Sequence, residues 1–199
     1  MEKRFIKMKV YDEQIFPVTI AYSDHELKNS IQLLKVSKKI IDENNDKPFM
    51  GPCISTVRTK YDILEMEEFE EVKNQILETI KHYTEVNRIN TSKLFICGSW
   101  LNYYDIGAYQ DLHHHPNSVL SGVYYIQSGG ERDFAFQNPS YFFQPIPPNL
   151  HELNEFNFSN IIYESLPGRC IVFPSHLMHK TAPAKAPRIS LSFNTTYRI

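Results

Sequence analysis

Arg188-Ile189-Ser190-Leu191-Ser192-Phe193-Asn194 alternates polar and apolar residues without a break. Successive side chains on a strand point to opposite faces, so Ile189, Leu191 and Phe193 share one face and Arg188, Ser190, Ser192 and Asn194 the other. The apolar face belongs to a core. The polar, Arg-headed face needs a partner, and a planar guanidinium matches a carboxylate bidentately, so a bound dicarboxylate is the natural candidate. An arginine on the solvent side of a half-exposed sheet fits the same pattern.

Working outward, 94–104, 119–126, 133–136, 161–164, 170–173 and 189–197 are short stretches rich in β-branched and aromatic residues, separated by Gly, Pro and Asn. That is the pattern of a sandwich or jelly roll. Upstream, 15–20 reads as a short strand with an edge proline, Pro17. Ser23-Asp24 offers an N-cap to a helix carrying Leu27, Ile31, Leu34, Ile40 and Ile41, which Asn44-Asn45-Asp46 ends. A second helix over 67–87 places Phe69, Val72, Ile76, Leu77 and Ile80 on one stripe. Helices first and antiparallel strands after make an α+β fold. The expected organisation is one domain over 1–199, with a helical support region at 1–90 and the β core at 91–199. The stretch 137–160 holds Pro139, Pro145, Pro147 and Pro148 among Tyr141, Phe142 and Phe143, and is expected to be a lid over a pocket.

Composition narrows the function. A formal charge of −2 excludes an overall basic field for nucleic acid, and Lys35, Lys38 and Lys39 read as a solvated helix face. No apolar run is long enough to span a membrane, and Met1-Glu2-Lys3-Arg4 opens no secretory signal. Three cysteines, Cys53, Cys97 and Cys170, without a CxxC pair are expected as buried free thiols in a reducing cytoplasm.

Five of the eight histidines fall in two clusters, His113-His114-His115 and His176 with His179, which suggests a metal site. On an extended segment His113 and His115 face the same way and His114 points away. Pro116 favours that extended conformation. A solvent-exposed polar turn explains the triplet alone equally well. The second cluster follows the turn, strand and break of Leu166-Pro167-Gly168-Arg169-Cys170-Ile171-Val172-Phe173-Pro174-Ser175, where a strand end can present His179 inward.

Tyr104-Asp105-Ile106-Gly107 through His113-His114-His115 resembles the segment before the metal site in prolyl-4-hydroxylase-like oxygenases. Ser121-Gly122-Val123-Tyr124-Tyr125-Ile126 resembles their next strand. Phe173-Pro174-Ser175-His176-Leu177-Met178-His179 and Arg188 through Asn194 are similar to their distal His and co-substrate Arg. Within that superfamily of Fe(II)- and 2-oxoglutarate-dependent oxygenases, the nearest likeness is to small members from bacteria and marine phages. The resemblance implies a double-stranded β-helix (a cupin-like jelly roll) with the N-terminal helices packed on one sheet. It implies Fe(II), 2-oxoglutarate and O2, and a hydroxylase that couples decarboxylation to succinate with oxidation of an unactivated C–H bond.

By that resemblance His113, His115 and His179 bind the metal and, with Arg188, carry catalysis. Arg188, Ser190, Tyr125 and Tyr104 hold 2-oxoglutarate. One departure stands out: the superfamily usually has a carboxylate where this chain has His115, and Asp111 is a second conceivable carboxylate. His176 reads as pocket lining or a surface residue. A three-His dioxygenase of the cupin type without 2-oxoglutarate explains His115 but leaves Arg188 idle. A non-enzymatic metal-binding β-helix domain is a third reading. The substrate is a small molecule or a peptidyl group, and exposed strand edges allow a homodimer.

Overall fold

The structure is a computed structural model that describes residues 17–43, 48–59, 61–140, 149, 151–154 and 157–198. The elements are β1 (Ala21–Asp24), α1 (Ser30–Glu43), β2 (Ile54–Ser55), α2 (Glu70–Val86), β3 (Leu94–Tyr104), β4 (Gln110–His113), β5 (Leu120–Gln127), β6 (Arg132–Gln137), β7 (Asn160–Glu164), β8 (Arg169–Pro174), β9 (His179–Thr181) and β10 (Arg188–Tyr197). They form a six-stranded sheet in the order β1-β8-β5-β10-β3-β2 and a four-stranded sheet in the order β4-β9-β6-β7. Every named pairing is antiparallel.

Alternation in the larger sheet sorts its side chains between two cores. Leu120, Tyr124 and Ile126 of β5, Cys170 and Val172 of β8, and Ile189, Leu191 and Phe193 of β10 share one cluster with Leu33, Ile40 and Ile41 of α1 and Val72, Ile76, Ile80 and Tyr83 of α2. The alternate residues Val123, Tyr125, Ile171 and Phe173 instead join Phe134 and Phe136 of β6. The larger sheet is thus buried on both faces, and the second core lies beside the polar face of β10. In α2 the buried residues recur at three- and four-residue steps, and Glu70 and Glu71 in its first turn suit the positive end of the helix dipole.

Several expectations need correction. Of 15–20, Ile15 and Phe16 lie outside the described residues and 17–20 form no strand; the strand begins at Ala21. Ser23 and Asp24 belong to β1 opposite Cys170 and Arg169, and Asp24 takes a two-pronged ion pair with Arg169 at 2.6 and 2.8 Å instead of capping a helix. α1 therefore starts at Ser30, and Ile31 is exposed. The segment expected as one helix from 67 opens with a 3-10 turn at Glu67–Phe69, which another at Ile63–Glu65 precedes, and Leu77 is exposed. Cys53 and Cys170 are buried, but Cys97 is exposed. The expected helix stop at Asn44-Asn45-Asp46 lies outside the described residues, as does nearly half of the expected lid, including 141–148.

Gly168 joins three elements. Its N–H donates to Tyr125 O at 2.8 Å, and its carbonyl accepts from His25 N at 3.0 Å. Its φ is +84°, and a Cβ there would stand 2.0 Å from His25 O. Gly168→Ala combines left-handed strain with a backbone clash, and is expected to cost about 2–4 kcal/mol in denaturant unfolding. A loss below about 1 kcal/mol would mean that the loop at His25 yields freely.

Candidate metal and co-substrate site

His113 at the end of β4 lies directly opposite His179 at the start of β9. The register between the two strands shifts after Gln110, so an irregularity in β4 sets which side chain meets His179. His115 is fastened just beyond the strand by its N–H to Ser175 O at 2.9 Å. Its ring stacks on Trp100 of β3 at 5.8 Å and touches the Asn194 side chain. The potential ligand atoms of His113, His115 and His179 all lie within 4.8 Å of one another.

Main-chain carbonyls set two of the tautomers. His113 Nδ1 is 2.7 Å from Asp111 O and His179 Nδ1 is 2.8 Å from Leu177 O. A carbonyl can only accept, so each Nδ1 carries the proton and each Nε2 turns a lone pair inward. His115 Nε2 lies 3.2 Å from His179 Nε2. Two nitrogens about 2.1 Å from a shared ion and at right angles stand about 3 Å apart, so this spacing suits a metal edge.

Burial lowers the basicity of all three rings, with further lowering from neighbouring imidazoles. His115 falls to about 4, and His113 and His179 are also lowered. At neutral pH the cluster is therefore in the unprotonated form that binds metal. Unfolding restores the ordinary value near 6.5, so between that pH and about 4 the unfolded chain takes up more protons. The metal-free protein is expected to lose stability as pH falls through that window. Thermal melts at about pH 7.5 and about pH 5.5 test this, and an unchanged or higher midpoint in acid contradicts it.

One cavity of about 300 Å3 is lined by the three histidines and also by Arg188, Ser190, Tyr125 and Tyr104. The polar face of β10 forms its wall, since Ser192 and Asn194 line it too. Arg188 is 1% exposed, and its guanidinium lies 4.0 Å above the Tyr104 ring centroid. The Tyr104 hydroxyl already donates to Gln110 Oε1 at 2.7 Å, so Tyr104 offers the arginine a platform. The buried Tyr125 hydroxyl has no partner, and neither do Arg188 Nε and Nη2. Buried donors of this kind are normally satisfied, and a carboxylate entering the cavity would satisfy them. The donor set at both ends therefore fits a divalent cation and an anionic co-substrate.

His114 is exposed at the cavity rim and lies outside the three-His cluster, and His176 is exposed on the surface. Asp111 is also exposed and serves through its main chain. Two residues went unnoticed in sequence. Trp100 backs His115. Asp133, 3% exposed, places Oδ2 in an ion-pair contact with Arg188 Nη1 that lacks hydrogen-bond geometry. A charged residue heading the apolar run 134–136 was the available signal.

Residues 98–194 match the family model described as "Putative 2OG-Fe(II) oxygenase". A prolyl-4-hydroxylase from Pseudomonas putida is similar in fold, with a TM-score of 0.63 and 14% identity over 92% of this chain and 94% of that one. A viral collagen prolyl hydroxylase from Paramecium Bursaria Chlorella virus-1 gives 0.56 and 12% over 88% and 94%. The epimerase SnoN from nogalamycin biosynthesis, in complex with Fe3+ and alpha ketoglutarate, gives 0.60 and 12% over 92% and 82%. No curated protein matches the chain. Over the matched segment the chain is similar to the 2OG-Fe(II) oxygenases, and its fold is prolyl-4-hydroxylase-like. Fe(II), 2-oxoglutarate and O2 are the cofactors of that chemistry. Among the described residues no helix is long and apolar enough to cross a membrane.

Proposed function

We propose that the protein is a hydroxylase of an aliphatic C–H group in a small molecule or a peptide. His113, His115 and His179 hold Fe(II) through Nε2. Arg188, with the Tyr125 hydroxyl and Ser190, takes the distal carboxylate of 2-oxoglutarate. The observation that carries this reading is one cavity joining three inward imidazoles to buried, unpartnered donors on Arg188 and Tyr125. Iron with 2-oxoglutarate and O2 supplies the oxidising chemistry, coupling decarboxylation to succinate with C–H oxidation. The chain's own part is to orient the ligands, anchor the co-substrate and exclude water.

Phe49, Met50, Val57 and Trp100 line the same cavity and suit an apolar substrate surface. Two of the fold neighbours are prolyl hydroxylases, which supports a peptidyl substrate by analogy. We read the two facing sheets as a double-stranded β-helix within one domain over 1–199. The three-His dioxygenase reading gains from His115, but it leaves the buried donors around Arg188 without a purpose.

The test is an anaerobic titration of metal-free protein with Fe(II) and then 2-oxoglutarate, watched for a visible metal-to-ligand charge-transfer band. A band that saturates with 2-oxoglutarate is expected. Iron binding without any band would favour a metal site that uses no 2-oxo acid.

A further inference from the structure

The carboxylate missing from the metal face has a counterpart elsewhere in the pocket. A facial Fe(II) site commonly combines two histidines with one carboxylate. Here the clustered groups are three imidazoles, none of which brings a negative charge to a bound metal. Asp133 lies beside Arg188, and both side chains are almost fully buried.

A local irregularity of the sheet accounts for that placement. On β6, Arg132 pairs with Glu164 and Phe134 with Tyr163, so Asp133 is the extra residue of a bulge. A bulge frees one residue from the regular alternation and re-aims its side chain. Asp133 is also held by its main chain, whose carbonyl accepts from Ala182 N at 2.7 Å. β6 pairs with β9 as well, through Phe136 opposite His179. One strand thus connects the metal end of the pocket to the arginine end.

Formal charges give this placement a consequence. Fe(II) brings two positive charges and Arg188 one, against two negative charges on 2-oxoglutarate. Three neutral imidazoles add nothing, which leaves one surplus positive charge in a pocket whose arginine end is almost fully buried, an expensive arrangement. One further carboxylate removes the surplus.

We propose that Asp133 is a charge-balancing and positioning residue for this site. It supplies, beside Arg188, the negative charge that the metal face lacks. By engaging Nη1 it leaves the Nε–Nη2 edge of the guanidinium to the co-substrate. This proposal rests on the 2-oxoglutarate reading above.

The test moves the carboxylate from one end of the pocket to the other. His115→Asp alone leaves the Asp133–Arg188 pair in place and gives the loaded pocket one surplus negative charge. Anaerobic 2-oxoglutarate titration of the Fe(II)-loaded variant is expected to show about tenfold weaker binding than the wild type. His115→Asp combined with Asp133→Asn removes the surplus and is expected to recover wild-type affinity to within about threefold. Asp133→Asn alone makes the pocket more positive and is expected to weaken Mn(II) binding about tenfold by calorimetry, a readout independent of turnover.

Undiminished 2-oxoglutarate affinity in His115→Asp overturns the proposal. So does a double variant no better than the single one while both remain folded. Should Asp133→Asn compromise folding, the His115→Asp arm still decides, because it does not disturb the buried pair. A wild type that binds iron but develops no charge-transfer band fails the co-substrate reading itself, which distinguishes the two failures.

Discussion

His179→Ala is expected to lower Fe(II) affinity by about a hundredfold or more and to reduce turnover to background. Loss of a group that merely orients a ligand already costs about 10–100-fold in affinity, and a ligand should cost at least as much. His179 is the most buried of the three rings, at 3% exposure. It sits 4.3 Å from the His113 ring and 5.1 Å from His115, and Phe134, Phe136 and Phe173 pack around it. These contacts hold the imidazole in one orientation before metal arrives, and Leu177 O holds its tautomer. His176→Ala, three residues away on the surface, is the control and should leave metal binding unchanged. Calorimetric titration with Mn(II) measures both. Near-wild-type affinity in His179→Ala would remove this residue from the ligand set.

Arg188→Ala is expected to weaken 2-oxoglutarate binding by at least about a hundredfold while leaving the three-His cluster able to bind metal. A charge-assisted, two-pronged contact in a buried pocket is among the stronger polar interactions available, at about twice a neutral hydrogen bond. The same change leaves Asp133 buried without its cation, and such orphaned charges cost about 3–5 kcal/mol of stability. The two effects separate by substitution. Arg188→Met with Asp133→Asn removes both charges and should recover much of the stability but none of the co-substrate affinity. Arg188→Lys keeps the charge and loses the planar fork, so it should bind 2-oxoglutarate weakly. If Arg188→Met with Asp133→Asn binds 2-oxoglutarate normally, the anchor lies elsewhere in the cavity.

Much of the β architecture could be read along the chain, because a strand buried on one or both faces must write its burial into its residues. The pattern places a strand over 94–104, the bounds of β3, and another over 189–197, one residue different from β10. The polar side chains of β10 were assigned to one face from alternation, and all four line the cavity. The short strands β2, β4 and β9 were missed. They have two to four residues each, too few for a period to declare itself. β4 also carries a register shift that interrupts alternation. Ser23 and Asp24 resemble a helix cap in sequence, whereas pairing with β8 claims both residues and Asp24 also pairs with Arg169.

The sequence by itself determined the candidates for the chemistry: His113 and His115 two apart on an extended segment, His179 after a strand break, and Arg188 at the head of a polar strand face. Each follows from local spacing, which the backbone converts directly into direction. Only the tertiary structure decided that these groups share one cavity, that Tyr104 is a platform whose hydroxyl is already taken, and that Asp133 meets Arg188. That last pairing depends on a bulge in β6 and on two strands from different sheets, with the residues 55 positions apart in the chain. Local periodicity cannot encode it, because a bulge is where the local period fails and the fold chooses the partner.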